Sequence, residues 1–240
     1  MGNKIQFLGH SAFLIQTSGE KSILIDPWLD NPQAPKDVDI PTPDLLLITH
    51  AHGDHLGNAV NLGSSSKTEV IAIHEIQQYL LTKGVPNVTG MNIGGTYSTK
   101  GISITMVQAI HSSSFQEGNE IIYGGDAAGF VIRLEDGTSI YHAGDTGLFG
   151  DMALIGELYS PQIAILPIGN HYVMGPNEAA YAVKLIKPKA VIPMHYGSFP
   201  VLTGTVEEFE EAIKKLGQEV EVVGLAPGQI YEPRLCTSNA

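Results

Sequence analysis

The chain has one cysteine, Cys236, in 240 residues, which excludes an intrachain disulfide and a thiolate-pair metal site. Positive charge is also scarce. Lys and Arg number 13 against 25 Asp and Glu, giving a net charge of −12, and Arg133 and Arg234 are the only arginines. Such a field repels polyanions, and no Lys/Arg cluster offsets it, so nucleic acid and anionic membranes are poor partners. No apolar run nears the ~18 residues of a membrane-spanning helix. The opening MGNKIQFLGHSAFLIQT lacks a basic segment followed by a long apolar one, which reads against a secretory signal. A cytoplasmic protein with a small-molecule substrate is the expectation.

What is present is glycine, proline and β-branched residues. The 27 Gly and 14 Pro imply many turns between short strands. The length suits one sizeable core, so residues 1–240 read as one domain. Ile5–Leu8 and Ala12–Gln16 read as strands around Gly9-His10-Ser11, and Ser22–Ile25 as a third, stopped by Asp26-Pro27. Asn31–Asp44, with four prolines, reads as a loop. Leu45–Thr49, continuously apolar for its first four residues, and Ile163–Ile168 have the character of strands covered on both faces. Val70–Ile73, Ile102–Ala109, Ala190–Pro193, Val220–Val223 and Gln229–Tyr231 are further strands. Ala128–Leu134 and Ser139–His142 flank Asp136-Gly137, a hairpin signal. Helices are expected at Glu75–Lys83, at Asn177–Ile186 after Pro176, and at Thr205–Leu216, where Thr205 and Glu208 form a capping-box pattern. The pattern implies two sheets with helices outside.

Three of the nine histidines fall in one short stretch, ITHAHGDH, directly after a buried-type strand. Imidazole nitrogens and carboxylate oxygens are ligands of borderline cations. The two-residue offset puts His50 and His52 on one side of an extended segment, while Asp54 and His55 turn into the next and can face a second ion. Their partners must come from elsewhere. His111, Asp145 and His195 each follow a strand, where a rigid sheet fixes loop groups. Solvated loop histidines are the plain alternative, but it does not account for matching residues at later strand ends.

HAHGDH resembles the His-x-His-x-Asp-His signature of the metallo-β-lactamase superfamily, and Asp26, His111, Asp145 in GDT and His195 follow in that superfamily's order. GHSAFLI, LIDPWL, YHAGDTG and PMHYG resemble its lactonase-like branch of small bacterial metal-dependent hydrolases. The resemblance runs from about Gly9 to Gly197. It implies an α+β fold, a four-layer αββα sandwich of two mixed sheets flanked by helices. It also implies a binuclear site, with His50, His52 and His111 on one metal, Asp54, His55 and His195 on the other, and Asp145 bridging. Asp26 would orient a ligand from behind. Kinship also admits a homo-oligomer.

Two divalent cations sharing a water lower its pKa toward neutrality. The expected activity is therefore a metal-dependent hydrolase whose bridging hydroxide attacks a small ester, lactone, amide or phosphoester, with Asp54 orienting the nucleophile. Zinc is the first candidate; manganese, iron and nickel suit the same His/Asp set. His10, His142 and His171 are the imidazoles available to protonate a leaving group or contact substrate; on position, His142 reads as structural. Tyr172, Met174, Tyr196 and Phe199 fit a pocket wall or core equally, and His74 reads as a surface residue. The alternatives are a phosphodiesterase or nuclease on the same fold, opposed by the charge, and a non-haem di-iron oxidoreductase needing a separate electron-transfer partner. A binding module on an inactive scaffold is opposed by seven competent ligand positions.

Overall fold

The computed structural model describes residues 2–233; the expectations about Arg234 and Cys236 lie outside the described residues. The strands are Lys4–Phe7 (β1), Phe13–Gln16 (β2), Ser22–Ile25 (β3), Leu45–Leu47 (β4), Glu69–Ile73 (β5), Val88–Met91 (β6), Thr96–Thr99 (β7) and Ile102–Gln108 (β8). They continue as Ser114–Glu117 (β9), Glu120–Tyr123 (β10), Ala128–Arg133 (β11), Ser139–His142 (β12), Ile163–Pro167 (β13), Ala190–Met194 (β14), Glu221–Val222 (β15) and Ile230–Tyr231 (β16). The helices are Gly53–Leu56 (α1), Ala59–Gly63 (α2), His74–Thr82 (α3), Met152–Tyr159 (α4), Pro176–Ile186 (α5) and Val206–Lys215 (α6).

Two seven-stranded sheets form, ordered β16-β1-β2-β3-β4-β5-β6 and β15-β14-β13-β12-β11-β8-β7. Both are mixed. Strands β3 to β6 run parallel, as do β12 to β15, and the remaining pairs are antiparallel. β4, β5, β13 and β14 are buried at every position, which explains their apolar sequences, interrupted by a charge only at Glu69 of β5: both faces are covered.

The core is built in layers. Ile5, Phe13 and Leu46 of the first sheet cluster with Ile104, Phe130, Ile165 and Ile192 of the second, filling the space between them. The outward residues Val131, Tyr141, Ala164, Leu166 and Val191 pack instead with Met152, Ile155, Val183, Phe209 and Ile213 of α4, α5 and α6. α3 covers the other sheet through Ile76 and Leu80 and contacts β5 and β6. The result is the expected αββα order. Thr205 caps α6: its Oγ1 accepts from Glu208 N at 3.2 Å while Glu208 Oε2 accepts from Thr205 N at 3.3 Å.

Some elements differ from the sequence expectation. α4 was not expected because its apolar residues form no clean stripe and Gly156 interrupts it. The glycine is there for contact, since a Cβ would lie 2.6 Å from Ile186 O of α5. The stretch after His111, for which the sequence suggests no element, forms a separate two-stranded hairpin, β9–β10. β6, β7, α1 and α2 are likewise additions, each five residues or fewer.

Strand direction gathers the functional groups. The segments that leave β3, β4, β8, β12, β13 and β14 carry Asp26, His50, His111, Asp145, His171 and His195 respectively, and the β1–β2 turn carries His10 beside the end of β3.

Candidate metal centre

Two groups of side chains, and a third that overlaps both, meet at that rim. His50, His52 and His111 bring one ligand atom each within 4.8 Å of the others; so do His10, Asp54, His55 and His195, and so do His50, His55 and Asp145. Asp145 joins the halves: its Oδ2 lies 2.9 Å from His195 Nε2, 3.3 Å from His55 Nε2 and 3.6 Å from His111 Nε2. All seven residues singled out as ligands are thus brought together from four separate loops.

Local structure places them. The extended exit of β4 carries His50 and then His52, which is the N-cap of α1 at φ −62° and ψ 147°; His50 Nε2 and His52 Nδ1 are 3.0 Å apart. The single turn of α1 then carries Asp54 and His55. His195 holds φ at +55°, in the left-handed region, so that the chain turns sharply at the end of β14.

Asp26 orients ligands in both groups. Its carboxylate accepts from Thr49 N at 2.8 Å and Thr49 Oγ1 at 2.7 Å, and its Oδ2 is 2.7 Å from His55 Nδ1. With its own proton given to Asp26, Thr49 Oγ1 accepts from His50 Nδ1 at 3.0 Å. Both imidazoles therefore carry hydrogen on Nδ1 and turn Nε2 inward, the nitrogen that would bind a cation once free of its proton, as in metal-ligating histidines.

Burial and charge set the protonation of the cluster. Burial pushes His50 well below the ordinary imidazole value, and His55 adds to it; burial also lowers His52 and His111. His10 falls to about 4, chiefly through burial. Burial alone would lower His55 too, but Asp145 and Asp26 outweigh it and raise it well above the usual range. Burial would raise Asp145, yet His195 and His55 hold it well below the ordinary carboxylate value. Asp54 is lowered in the same way, the His10 hydrogen bond opposing its desolvation.

The donor set fits a cation. Asp145 Oδ1 is buried without a hydrogen-bond partner among the described residues, and the buried His55 Nε2 and His195 Nε2 crowd the other oxygen of the same carboxylate at 3.3 and 2.9 Å. Such an orphan costs roughly 1–3 kcal/mol if nothing satisfies it. A cavity of about 240 Å³ opens onto the centre, lined by His52, Asp54, His111, Ser112, Asp145, Tyr172, His195 and Phe199. A larger cavity of about 620 Å³ lies beside α4 and α5 but contains none of the histidines.

The other candidates separate clearly. His10 is fully buried beside Asp54 and His195 and belongs to the centre. His142 is buried, with Nε2 3.3 Å from Ser11 O and Nδ1 accepting from Gly144 N, so it supports the rim without facing the cavity. His171 is exposed and edge-on to Tyr172, and Tyr172 rather than His171 lines the cavity. Phe199 also lines it, while Met174 packs in the helix-side core. His74 is exposed, as expected. Sequence reasoning missed Thr49, Gln33 and Ser198. Their chemistry is ordinary, and only proximity to the named residues in space marks them.

Residues 4–195 match the model of a family described as the β-lactamase superfamily domain. The chain is 51% identical over 230 residues to a UPF0173 metal-dependent hydrolase of Methanopyrus kandleri, covering 95% of this chain and 99% of that protein. It is 45% identical over 232 residues to another from Koribacter versatilis, covering 96% and 98%. Among solved structures it is similar to Igni18, a metallo hydrolase from Ignicoccus hospitalis, with a TM-score of 0.84, 36% identity and coverage of 97% and 99%.

Proposed function

The chain belongs to the β-lactamase superfamily domain family, and from that premise we propose that this metal-dependent hydrolase cleaves a small ester, lactone, amide or phosphoester at a two-cation centre. His50, His52 and His111 would hold one ion, Asp54, His55 and His195 the other, with Asp145 shared. Such ions supply a water that ionises near neutral pH and a Lewis acid for the oxygen under attack. The observation that carries the reading is the convergence of His55, His111 and His195 Nε2 on Asp145 Oδ2 at 3.3, 3.6 and 2.9 Å, with Asp145 Oδ1 buried and without a hydrogen-bond partner among the described residues. An all-His/Asp donor set suits zinc first, and manganese, iron or nickel equally where water fills more positions.

The chain's own groups do the rest. Asp54, about a third exposed at the cavity, accepts a hydrogen bond from the attacking water and orients it. Asp26 fixes the inward-facing tautomers of His50 and His55. Phe199 stacks on Trp28 with ring centroids 5.7 Å apart, and Phe199 and Tyr172 give the substrate an aromatic wall. The cavity, about 240 Å³, is below the ~300–1,000 Å³ typical of ligand pockets, which supports a small substrate. No Lys or Arg is among its lining residues, so a polymeric anion gains no cationic groove, which weighs against the nuclease alternative.

The test is ion content of the purified protein, followed by turnover of matched lactones, aryl esters, amides and p-nitrophenyl phosphodiesters before and after chelation. The proposal expects chelator-sensitive hydrolysis of at least one small class, restored by added divalent metal. Hydrolysis that survives complete metal removal contradicts it.

A further inference from the structure

His10 is a fully buried histidine with no part in the reaction as described so far. Its surroundings are unusually specific. It sits in the Gly9-His10-Ser11 turn at φ +53°, a left-handed conformation that residues with a Cβ seldom adopt. Its Nε2 is 3.2 Å from Asp54 Oδ2, and its Nδ1 is 2.6 Å from Ser198 Oγ. An ionised carboxylate only accepts, so the ring proton lies on Nε2 and donates to Asp54; Nδ1 then accepts from the Ser198 hydroxyl. The ring packs on His195 with centroids 3.9 Å apart and on the edge of Trp28 at 5.1 Å.

The backbone repeats the connection. His195 N donates to His10 O at 2.8 Å, and His10 N donates to Gln33 Oε1 at 3.1 Å. Gln33 Nε2 in turn donates to Tyr196 O at 3.1 Å. The β1–β2 turn of one sheet is thereby tied to the segment after β14 of the other. Among the proposed ligands, the contacts named here fall on Asp54 and His195, and none on His50, His52 or His111.

We propose that His10, held by Ser198, is a positioning residue for one half of the centre: it fixes the Asp54 carboxylate and the His195 ring so that the Asp54–His55–His195 group can take its cation. The inference rests on the two-cation reading above. His10 orients one oxygen of Asp54, leaving the other for the ion or its water, and packs His195 so that its Nε2 faces Asp145. A ligand role for His10 would require Nε2 to abandon Asp54, and Nδ1 is already committed to Ser198. The role differs from that of Asp26, which supports one histidine of each group; loss of His10 is felt by a single ion.

The experiment counts and titrates ions. The parent, His10→Ala, His10→Gln and Ser198→Ala are stripped of metal, checked for folding by circular dichroism and melting, and titrated with Zn2+ and Co2+ against a competing chelator. The parent is expected to bind two ions. In His10→Ala the first ion keeps its affinity and the second weakens by roughly 10–100-fold, the usual effect of removing a group behind a ligand. His10→Gln, whose amide N–H reaches Asp54, recovers most of the loss and leaves the cobalt spectrum of the second ion unchanged. Ser198→Ala falls between parent and His10→Ala. Two ions at parental affinity in His10→Ala overturn the proposal, as does equal weakening of both. A cobalt spectrum altered in His10→Gln overturns it in favour of direct ligation. If His10→Ala does not fold, His10→Gln and Ser198→Ala decide: full parental affinity for the second ion in Ser198→Ala overturns the proposal, and selective weakening supports it. A parent that takes one ion overturns the two-cation reading and this inference together, whereas a two-ion parent with unaffected variants overturns this inference alone.

Discussion

Asp26 Oδ2 lies 2.7 Å from His55 Nδ1, and neither side chain reaches solvent. The same carboxylate holds Thr49, and through Thr49 it sets the tautomer of His50. One buried acid therefore stands behind a histidine of each ligand group. Asp26→Ala leaves the Thr49 amide and the His55 ring without their acceptor. Losing one partner of such a buried pair costs about 3–5 kcal/mol, so a large drop in the urea midpoint is expected. Asp26→Asn keeps the volume but weakens the acceptor, and both ions should bind roughly 10–100-fold more weakly. Calorimetric titration of the two variants checks this, and a loss confined to one ion contradicts it.

His52 and His74 make a matched pair of controls. His52 faces His50 at 3.0 Å and lines the cavity, whereas His74 is exposed at the start of α3. His52→Ala should lower metal occupancy and abolish turnover; His74→Ala should leave both at the parental level. Metal analysis and a turnover assay on the two purified variants read the difference. Equal activity of His52→Ala and the parent contradicts the assigned role of His52.

Gly156 tests the packing of the outer layer. An added Cβ would meet Ile186 O at 2.6 Å and Leu185 O at 2.9 Å, both backbone atoms that cannot swing aside. Alanine ordinarily favours a helix over glycine by up to ~1 kcal/mol. Here the clash reverses that sign, and overpacking of this kind costs about 1–3 kcal/mol. Chemical denaturation of Gly156→Ala should show net destabilisation. A variant as stable as the parent contradicts the close α4–α5 approach.

Glu69 provides a pH signature remote from the metal centre. It is only 7% exposed. Its carboxylate accepts from Tyr97 OH at 2.8 Å and Thr99 Oγ1 at 2.9 Å, and Lys100 Nζ stands 3.6 Å away. Burial would raise its pKa, but these donors outweigh burial and hold it below the ordinary 4.5. A carboxyl depressed on folding stabilises the protein above its unfolded pKa and ceases to do so as pH falls through the folded one. The difference in stability between parent and Glu69→Gln should therefore be constant at neutral pH and shrink below about pH 4.5. Denaturation of both proteins from pH 7 to pH 3 measures it, and a gap that widens in acid contradicts the assignment.

The centre was legible in the sequence to a greater extent than the fold around it. His50, His52, Asp54 and His55 are dense chemistry on one loop, and His111, Asp145 and His195 each follow a strand whose apolar run is easy to see. The long-range signal was the order of these residues, which local periodicity does not contain. His10 was visible only as a candidate, because its place beside Asp54 depends on the β1–β2 turn meeting the segment after β14. α4 escaped because Met152, Ala153, Leu154 and Ile155 are continuously apolar and its glycine answers to α5 rather than to helix propensity. β10 escaped because Ile121, Ile122 and Tyr123 are exposed despite their apolar character, so no burial pattern marks the strand. His171 read as a cavity residue from its position after β13, but a left-handed backbone at φ +57° leaves its ring at the surface and puts Tyr172 at the cavity instead.

The most direct test of the account is anomalous diffraction from crystals soaked with zinc, recorded on both sides of the metal's absorption edge. The account predicts two peaks per chain, one among His50, His52 and His111 and one among Asp54, His55 and His195, with Asp145 in contact with both. A fully soaked crystal with no peak between these side chains, or with peaks only on surface carboxylates, contradicts it.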